Sequence, residues 1–391
     1  MNSQNTPIHI RLWHRDFWLM AVANLLLTMS VYMLIPTMPH WLIGAQGFTA
    51  LQTGLAMGAF GLGLFAFGAF VSFLVQHYRR NVVCIISVLA VAALLVTLYY
   101  FDTKFCQFAE VSLLILQRFL LGAAFGLAQM VLASTLIIDT CESYQRTEAN
   151  HSAAWFGRFG LSLGPLAGLI VERLFNFDMV LLCAAGCALV STLLIALVHF
   201  PFRAPQDEIP VVSFDRFILP HGLPLFFNFL LITLAVGILL SLPSSELFYA
   251  MMMVGFLAAI LAQRFIFRNA ELKSEVVSGL ILIITALLML LTRTQQIVLY
   301  AAPFFIGFGI GIIGSRFLLF FIKLSRHCQR GTSQSTYMLG WESGLAWGLG
   351  IGLAFMSDMP KQALTVSLIL IVAALIMYNF IHNWFINNKN R

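Results

Sequence analysis

The sequence predicts an all-α, polytopic membrane protein with about 12 transmembrane helices in two pseudo-symmetric six-helix bundles. Three observations support this fold class: the apolar composition, the distribution of basic residues and an internal repeat. Of the 391 residues, 60% are hydrophobic and only 10% are charged, and the mean hydropathy is +0.90. A soluble domain carries about 25% charged residues. So many apolar side chains therefore require a surface that faces lipid.

Apolar runs of about 20 residues, the length that crosses a bilayer, recur along the whole chain. They predict spans at 17–39, 51–75, 82–101, 110–138, 150–171, 179–199, 224–242, 247–267, 276–292, 296–322, 334–356 and 362–386. The predicted organisation is an N-terminal cytoplasmic tail at 1–16, a first six-helix bundle at 17–200, a cytoplasmic linker at 201–223, and a second six-helix bundle with a short cytoplasmic tail at 224–391.

Basic residues are divided unequally between the two faces of the predicted bundle. If the N-terminus is cytoplasmic, the cytoplasmic tails and turns hold 15 of the 22 basic residues, and the opposite face holds four. The positive-inside rule then predicts an even number of spans with both termini cytoplasmic, in a plasma membrane such as the bacterial inner membrane. The net charge of +6 follows from this bias and does not indicate nucleic-acid binding.

The sequence contains no pattern that indicates an enzyme. The six cysteines are scattered without the spacing of a zinc or haem site, and no glycine-rich loop ends in Lys-Ser or Lys-Thr. A membrane-embedded transferase or a receptor would need clustered His, Asp and Glu at a membrane face, or a large soluble loop. We therefore expect no catalytic residue, no metal and no cofactor.

An internal repeat relates the fifth and eleventh predicted spans. An offset of 184 residues superimposes the two segments without a gap: Gln145-Arg146 on Gln329-Arg330, and Gly160, Leu161, Gly164 and Gly168 on Gly344, Leu345, Gly348 and Gly352. This offset equals six spans, as a duplicated six-helix unit requires. Parallel repeats of this kind create a substrate path between the halves, and rocking of one half on the other gives alternating access.

Two local motifs carry a resemblance to a known family. The fifth span, Gly160-Leu-Ser-Leu-Gly164-Pro165-Leu-Ala-Gly168, is similar to the antiporter motif G-x-x-x-G-P-x-x-G, and the fourth contains Arg118-Phe-Leu-Leu-Gly122-Ala-Ala-Phe-Gly126, similar to R-x-x-x-G-x-x-x-G. Over all twelve spans the chain resembles the major facilitator superfamily, and its first two spans look like the drug-efflux and sugar-efflux branch. The resemblance implies a monomeric secondary transporter, and its antiporter motif is commoner in exporters.

The turn after the second span departs from the family pattern. Of the motif G-x-x-x-D-R-x-G-R-R, only the basic pair Arg79-Arg80 is present. In the family the missing Asp helps to latch the two halves together in the outward-open state. We therefore expect the latch to be weaker here or to be built from other residues.

Four charged residues are predicted to lie inside the membrane: Arg118, Arg158, Arg316 and Glu342. Each costs about 2.5–3.5 kcal/mol even on the lenient insertion scale, so each is a functional candidate. Glu342 is the only predicted mid-span carboxylate, and the repeat aligns it with Arg158. One hypothesis is that Glu342 carries a proton while Arg158 or Arg118 holds an anionic group or lowers the proton affinity of the carboxylate. The alternative is a fixed ion pair or a charge–carbonyl contact that only joins helices.

The other two arginines also have two interpretations. The resemblance implies that Arg118 faces the cavity and takes part in proton-coupled steps, whereas from its position it could also reach the outer membrane surface. Arg316 lies close enough to the cytoplasmic face to extend its side chain there, which is the interpretation we favour.

Further polar residues are candidates for the cavity lining. Asn24, Thr28 and Tyr32 recur every four residues on the first span, either as hydrogen-bonding contacts between helices or as substrate contacts. Gln129 lies on nearly the same helical face as Arg118. The predicted cavity residues are Asn24, Thr28, Tyr32, Arg118, Gln129, Arg158, Asn228 and Glu342, and the predicted proton-coupling residues are Glu342, Arg158 and Arg118. His151 is either a proton relay or a plain interface residue.

Glycines at four-residue spacing predict close helix packing in the fifth and eleventh spans. The predicted conformational motif comprises Gly160, Gly164, Pro165, Gly168, Gly344 and Gly348. We expect these glycines to form a seam between the two halves that permits rocking. Pro165 removes a helical hydrogen bond and should bend the fifth span.

The sequence as a whole predicts a secondary active transporter, with proton-coupled export of a small amphipathic or anionic molecule as the first hypothesis. The excess of intramembrane arginines also fits a flippase for a lipid or lipid-linked anion, or an importer of organic anions, on the same fold. The predicted partners are therefore the substrate, protons and the lipid bilayer.

Overall fold

The structure is a computed structural model that describes residues 11–99, 107–200, 210–267, 271–326 and 329–389. Over these residues it contains helices and no β-strand, so the predicted all-α class is confirmed. The predicted tail residues 1–10, the linker residues 201–209, and the cysteines Cys106 and Cys328 lie outside the described residues.

Fifteen α-helices build the twelve predicted spans within this part of the chain. Their bounds are α1 Arg15–Tyr32, α2 Leu34–Gly44, α3 Ala50–Gly63, α4 Val71–His77, α5 Arg80–Tyr99, α6 Gln107–Val131, α7 Ile137–Asp139, α8 Arg146–Leu174, α9 Phe177–Ala196, α10 Leu223–Leu240, α11 Glu246–Phe265, α12 Leu272–Thr292, α13 Gln296–Leu324, α14 Arg330–Met356 and α15 Pro360–Asn388. The first span consists of α1 and α2, and the second of α3 and α4. The fourth consists of α6 and α7, which are joined by the π-helical turn Leu132–Leu136.

Eleven of these segments in the described chain are long and apolar enough to cross a membrane. The exception is α14, whose first turns contain Thr, Ser and Gln residues. Almost every residue of α14 from Thr332 to Leu353 is buried, because other helices surround it. A helix enclosed by protein does not need an apolar surface, so α14 can be polar and still lie inside the bundle.

Several helices begin with side-chain caps that define where each span starts. Thr49 and Gln52 form a reciprocal capping box at the start of α3, with hydrogen bonds of 2.9 and 3.3 Å. Asn176 and Ser245 accept hydrogen bonds from the backbone N–H groups in the first turns of α9 and α11. These caps satisfy N–H groups that have no partner within the helix.

The bundle has two halves, α1–α9 and α10–α15. Each half packs mainly on itself, and α14 and α11 make the principal contacts across the boundary, on α3 and α8 respectively. In terms of spans, the second meets the eleventh and the fifth meets the eighth. These two pairings are equivalent under a six-span repeat.

The repeat is also visible in the register of two helix pairs. Glycines of α8 lie against α1 in the first half, and glycines of α14 lie against α10 in the second. The equivalent pairs are Thr28 with Gly160, Met33 with Gly168, Thr233 with Gly344, and Ile238 with Gly352. One offset, 184 residues, relates the glycines, and another, 205 residues, relates their neighbours. The pairs are therefore packed in the same register, consistent with two pseudo-symmetric halves.

The predicted location of the glycine seam was wrong. Gly160, Gly164 and Gly168 pack against α1, and Gly344 and Gly348 pack against α10, so each ladder lies within one half. Glycine spacing predicts a close approach but does not identify the partner helix. Helix α8 continues through Pro165 from Arg146 to Leu174.

The close glycine contact between the halves involves other residues. Gly54 and Gly58 of α3 lie against Gly350 of α14, and an added Cβ at Gly54 would overlap the Gly350 carbonyl and Ala354. This contact joins the second and eleventh spans across the boundary.

Candidate functional site

Three cavities lie in sequence between the two halves. We call the side of the bundle at which α1, α8 and α14 begin the termini face, and the opposite side the far face. A vestibule of about 540 Å³ at the far face is lined by the ends of α2, α8, α10 and α14. It shares Ile35, Leu240 and Leu349 with a smaller cavity, the Arg118 chamber. A third cavity, the Arg158 chamber, lies nearer the termini face, and Glu342 lines both chambers.

Glu342 is held by a hydrogen-bonded chain that crosses from one half to the other. The Tyr32 hydroxyl donates to Glu342 Oε1 at 2.7 Å, and Trp341 Nε1 donates to the Tyr32 oxygen at 3.0 Å. Tyr32 belongs to the first half, whereas Trp341 and Glu342 belong to the second. Glu342 is only 4% exposed. Separation of the halves at this level would therefore break the hydrogen bond to the carboxylate.

Arg158 is buried, and its charge has no carboxylate partner among the described residues. Its guanidinium carbon lies 4.1 Å from the centroid of the Trp155 ring, and Nη1 donates to the Tyr337 hydroxyl at 3.4 Å. Its Nε and Nη2 atoms are buried without a hydrogen-bond partner. The predicted alternative of a fixed ion pair between Arg158 and Glu342 is not present, although both side chains line the same chamber.

Arg118 has a similar environment in the other chamber. It is 2% exposed, its guanidinium carbon lies 5.2 Å from the Phe60 ring centroid, and its Nε and Nη1 atoms have no partner. It lines its chamber together with Tyr32 and Glu342, so it does not extend to the membrane surface. Gln129, predicted on the same face, lines the Arg158 chamber instead.

The polar stripe of α1 faces both chambers: Asn24 and Thr28 line the Arg158 chamber, and Tyr32 lines the Arg118 chamber. Asn24 Nδ2 donates to the Ala153 carbonyl at 3.1 Å, and Asn24 Oδ1 has no partner. Thr28 donates to the Asn24 carbonyl at 3.0 Å and also lines the chamber. Asn228 lies elsewhere: its Nδ2 donates to the Ala374 carbonyl at 2.9 Å between α10 and α15, and it lines none of these three cavities.

Sequence reasoning missed two residues of the Arg158 chamber that have hydrogen-bonding side chains, Gln334 and Trp341. Both lie on α14 near Glu342, at positions eight residues and one residue before it. The helical period of 3.6 residues places both of them, with Tyr337, on the side of α14 that carries Glu342. This periodicity could have predicted them from the sequence.

Arg316 has a carboxylate partner that the sequence analysis did not predict. Its Nε lies 2.5 Å from Glu275 Oε2, and Glu275 is 1% exposed. The partner was missed because the predicted span began at 276, whereas α12 begins at Leu272 and directs Glu275 toward α13. The pair lies within the second half and outside the chambers.

His151 lies in a contact between the halves. Its Nε2 is 2.5 Å from Ser315 Oγ, and Ser315 donates to Gln263 Oε1 at 3.1 Å. These residues connect α8 of the first half to α13 and α11 of the second.

The segment before α10 helps to close the termini face. Asp215 accepts hydrogen bonds from Ser72 of α4 at 3.3 Å and from Thr332 of α14 at 2.8 Å. The backbone N–H groups of Arg216 and Leu219 donate to Thr332 and Thr336, each at 2.8 Å. Asp215, which precedes α10, thus bridges α4 of the first half and the start of α14. It is a candidate for the other residues from which we expected the latch to be built.

Comparisons with known proteins agree with this architecture. The model of the Major Facilitator Superfamily matches residues 20–350. A crystal structure of a mutant nucleoside transporter NupG is 14% identical with a TM-score of 0.66, covering 94% of this chain and 99% of its own. A crystal structure of the human organic anion transporter MFSD10 (TETRAN) is 16% identical with a TM-score of 0.67, covering 93% and 98%. At these identities the two structures establish a shared fold. No curated protein sequence matches the chain.

Proposed function

The chain belongs to the Major Facilitator Superfamily of membrane transporters, and we propose that it moves a small organic anion together with a proton by alternating access. One observation carries this proposal: Arg118 and Arg158 are buried with N–H groups that lack partners, in two chambers that share the single carboxylate Glu342. A buried charge without a partner is unfavourable, so a bound anion would complete the site.

The shared carboxylate supplies a physical reason for coupling. An anion held by Arg158 is repelled by an ionised Glu342 in the same chamber, and this repulsion is strong where water is scarce. Protonation of Glu342 removes the repulsion. Anion and proton therefore favour each other's binding, and they would cross in the same direction. When the chambers are empty, the Tyr32 hydroxyl stabilises the ionised carboxylate.

The arrangement of cavities supports alternating access. The vestibule lies at the far face, whereas Asp215 and its partners close the termini face. The charge distribution favours a cytoplasmic termini face. In the proposed cycle the anion enters from the vestibule, and rocking of the halves about the α3–α14 and α8–α11 contacts opens the other side. The solved structure of an organic anion transporter with the same fold is compatible with this substrate class.

A second candidate is export by proton antiport. The motif from Gly160 to Gly168 favours it, because the resemblance associates that motif with exporters. Antiport requires that proton and substrate exclude one another, which suits a cationic substrate at Glu342 better than an anionic one.

The direction of a pH gradient separates the two candidates. Purified protein in proteoliposomes would be tested for accumulation of the radiolabelled anions orotate and citrate and of the organic cation ethidium, with protein-free liposomes as the control. Symport predicts accumulation when the outside is acidic, and antiport predicts accumulation when the inside is acidic. If uptake of every anion ignores both gradients, the coupling proposal fails.

Glu342→Gln tests the role of the carboxylate. This variant should still exchange labelled for unlabelled anion across the membrane, but a pH gradient should no longer drive accumulation. Glu271→Gln is the matched control, because Glu271 is an exposed carboxylate at the start of α12. Gradient-driven accumulation that survives in Glu342→Gln would exclude Glu342 as the proton carrier.

A further inference from the structure

The Arg158 chamber contains an unusual set of buried polar atoms without partners. The donors are Arg158 Nε and Nη2 and Gln129 Nε2, and the acceptors are Asn24 Oδ1 and Gln334 Oε1. All four side chains line this one cavity, and each is at most 5% exposed. Buried polar groups are nearly always hydrogen-bonded in folded proteins. Four such side chains around one cavity therefore indicate a ligand with matching groups.

The acceptor at Asn24 follows from the hydrogen-bond network. A backbone carbonyl can only accept, so the Asn24 atom that lies 3.1 Å from the Ala153 oxygen must be the amide nitrogen. The remaining atom of that side chain is then the carbonyl oxygen. Because it accepts and does not donate, an inorganic anion without a proton, such as chloride or sulfate, would leave it unpaired. The ligand needs an N–H or O–H donor as well as an anionic group.

Two aromatic rings form one part of the chamber wall. Tyr337 and Trp341 line it, and the Arg158 guanidinium lies over the Trp155 ring. Phe229 stacks on Tyr337 with a centroid distance of 5.2 Å, which supports the Tyr337 ring from behind. The cavity is about 40 Å³ in this state, so it must widen to admit a ligand ring. A planar ring stacks on an aromatic surface better than a branched aliphatic group does, which favours a planar ligand.

We propose that the Arg158 chamber binds a planar aromatic or heteroaromatic carboxylate with an N–H or O–H donor on its ring. The carboxylate would bind Arg158 and Gln129, and the ring would lie against Tyr337 and Trp341. The ring donor would bind Asn24 Oδ1, with Gln334 Oε1 as a second acceptor in the same chamber. This inference rests on the proposed function, since it names the substrate class of the same site. Neutral nucleosides lack the anionic group, and fatty acids lack the donor.

Binding to the purified protein tests the substrate class without any transport. The probes are 4-hydroxybenzoate and 4-fluorobenzoate, which have the same charge and similar size but differ in the ring donor. Calorimetric titration should give roughly tenfold to a hundredfold tighter binding for the hydroxyl compound, because a site with a buried acceptor discriminates against a ligand that leaves it unpaired. Cyclohexanecarboxylate, which is not planar, should bind more weakly than either.

Substitution of Asn24 tests whether its side-chain oxygen causes the preference for the hydroxyl compound. Asn24→Leu should abolish the preference for 4-hydroxybenzoate and leave 4-fluorobenzoate binding within about twofold. Asn228→Leu is the matched control, since Asn228 is also buried and donates to a backbone carbonyl but lies outside the chamber. If Asn24→Leu does not fold, Gln334→Met removes the neighbouring acceptor and should reduce the same preference. Arg158→Gln should weaken both carboxylates.

The outcomes separate this inference from the proposed function. Equal affinity for the two benzoates, or a preference that survives both Asn24→Leu and Gln334→Met, would overturn the substrate class. Proton-driven transport of citrate that depends on Arg158, without binding of any benzoate, would also overturn it and leave the transport proposal intact. Selective binding of 4-hydroxybenzoate without proton-driven transport would support the proposed substrate class and contradict the proposed coupling of transport to protons.

Discussion

Removal of the Tyr32 hydroxyl should shift the pH dependence of transport to higher pH. In Tyr32→Phe the aromatic ring and its packing remain, whereas the 2.7 Å hydrogen bond to Glu342 Oε1 is lost. The hydroxyl donates more strongly to an ionised carboxylate than to a protonated one. Its removal therefore favours the protonated form, and a symporter that needs protonated Glu342 should stay active at higher pH.

The size of the shift follows from the strength of the bond. A hydrogen bond to a charged group contributes about 1.5–3 kcal/mol, and 1.36 kcal/mol corresponds to one pH unit. The pH of half-maximal transport should therefore rise by about one to two units. In the same variant Trp341 Nε1 loses its acceptor and becomes free to donate to Glu342, which would offset part of the lost bond, so we expect a rise of about one unit.

The assay is the initial rate of anion uptake into proteoliposomes from pH 5 to pH 9, at a fixed pH difference across the membrane. Tyr378→Phe is the control, because the Tyr378 hydroxyl also makes a buried hydrogen bond, to His382 at 3.1 Å, within the second half. Its pH profile should match that of the parent. A Tyr32→Phe profile that coincides with the parent, or that moves to lower pH, would refute the reasoning.

Three further predictions concern the closure, the contact between halves and a buried ion pair. Asp215→Asn should loosen the termini face, so amide hydrogen exchange in the first turns of α14 should accelerate roughly tenfold; unchanged exchange would argue against this closure. Gly54→Leu should abolish transport, since no space exists beside α14, whereas Gly186→Leu should be tolerated because an added Cβ has no neighbour within 4 Å. Glu275→Gln leaves Arg316 without its partner and should destabilise the protein by about 3–5 kcal/mol, seen as a lower melting temperature; an unchanged melting temperature would contradict it.

The twelve spans could be predicted because hydrocarbon thickness imposes a length of about 20 residues on each apolar run. The repeat also predicted that Arg158 and Glu342 occupy equivalent positions, and both do line one chamber. These features depend on local composition and on sequence periodicity, which a single chain displays directly.

Other features depend on which helices meet, and sequence spacing does not contain that information. The hydrogen bond from Tyr32 to Glu342 joins helices that lie 310 residues apart in the chain. The glycine ladders of α8 and α14 predicted close packing but not the identity of the neighbours, α1 and α10. The Glu275–Arg316 pair was missed because a shift of four residues in the start of one helix moved a carboxylate from the membrane face into the interior.

The hydrogen bonds of residues 210–222, which precede α10, join this segment to the second half of the bundle. Thr332 and Thr336 hold the backbone of Arg216 and Leu219, and all four residues lie on the second-half side of the boundary. Among the described residues, the segment also contacts the first half, through the bonds from Ser72 to Asp215 and from the Ser213 N–H to the Ala69 carbonyl and through the packing of Phe217 on Phe65 and Gly68. When the halves separate, residues 210–222 would travel with α14 as part of one rigid piece. A pivot within residues 210–222 would therefore have to break the hydrogen bonds that join this segment to Thr332 and Thr336 of α14.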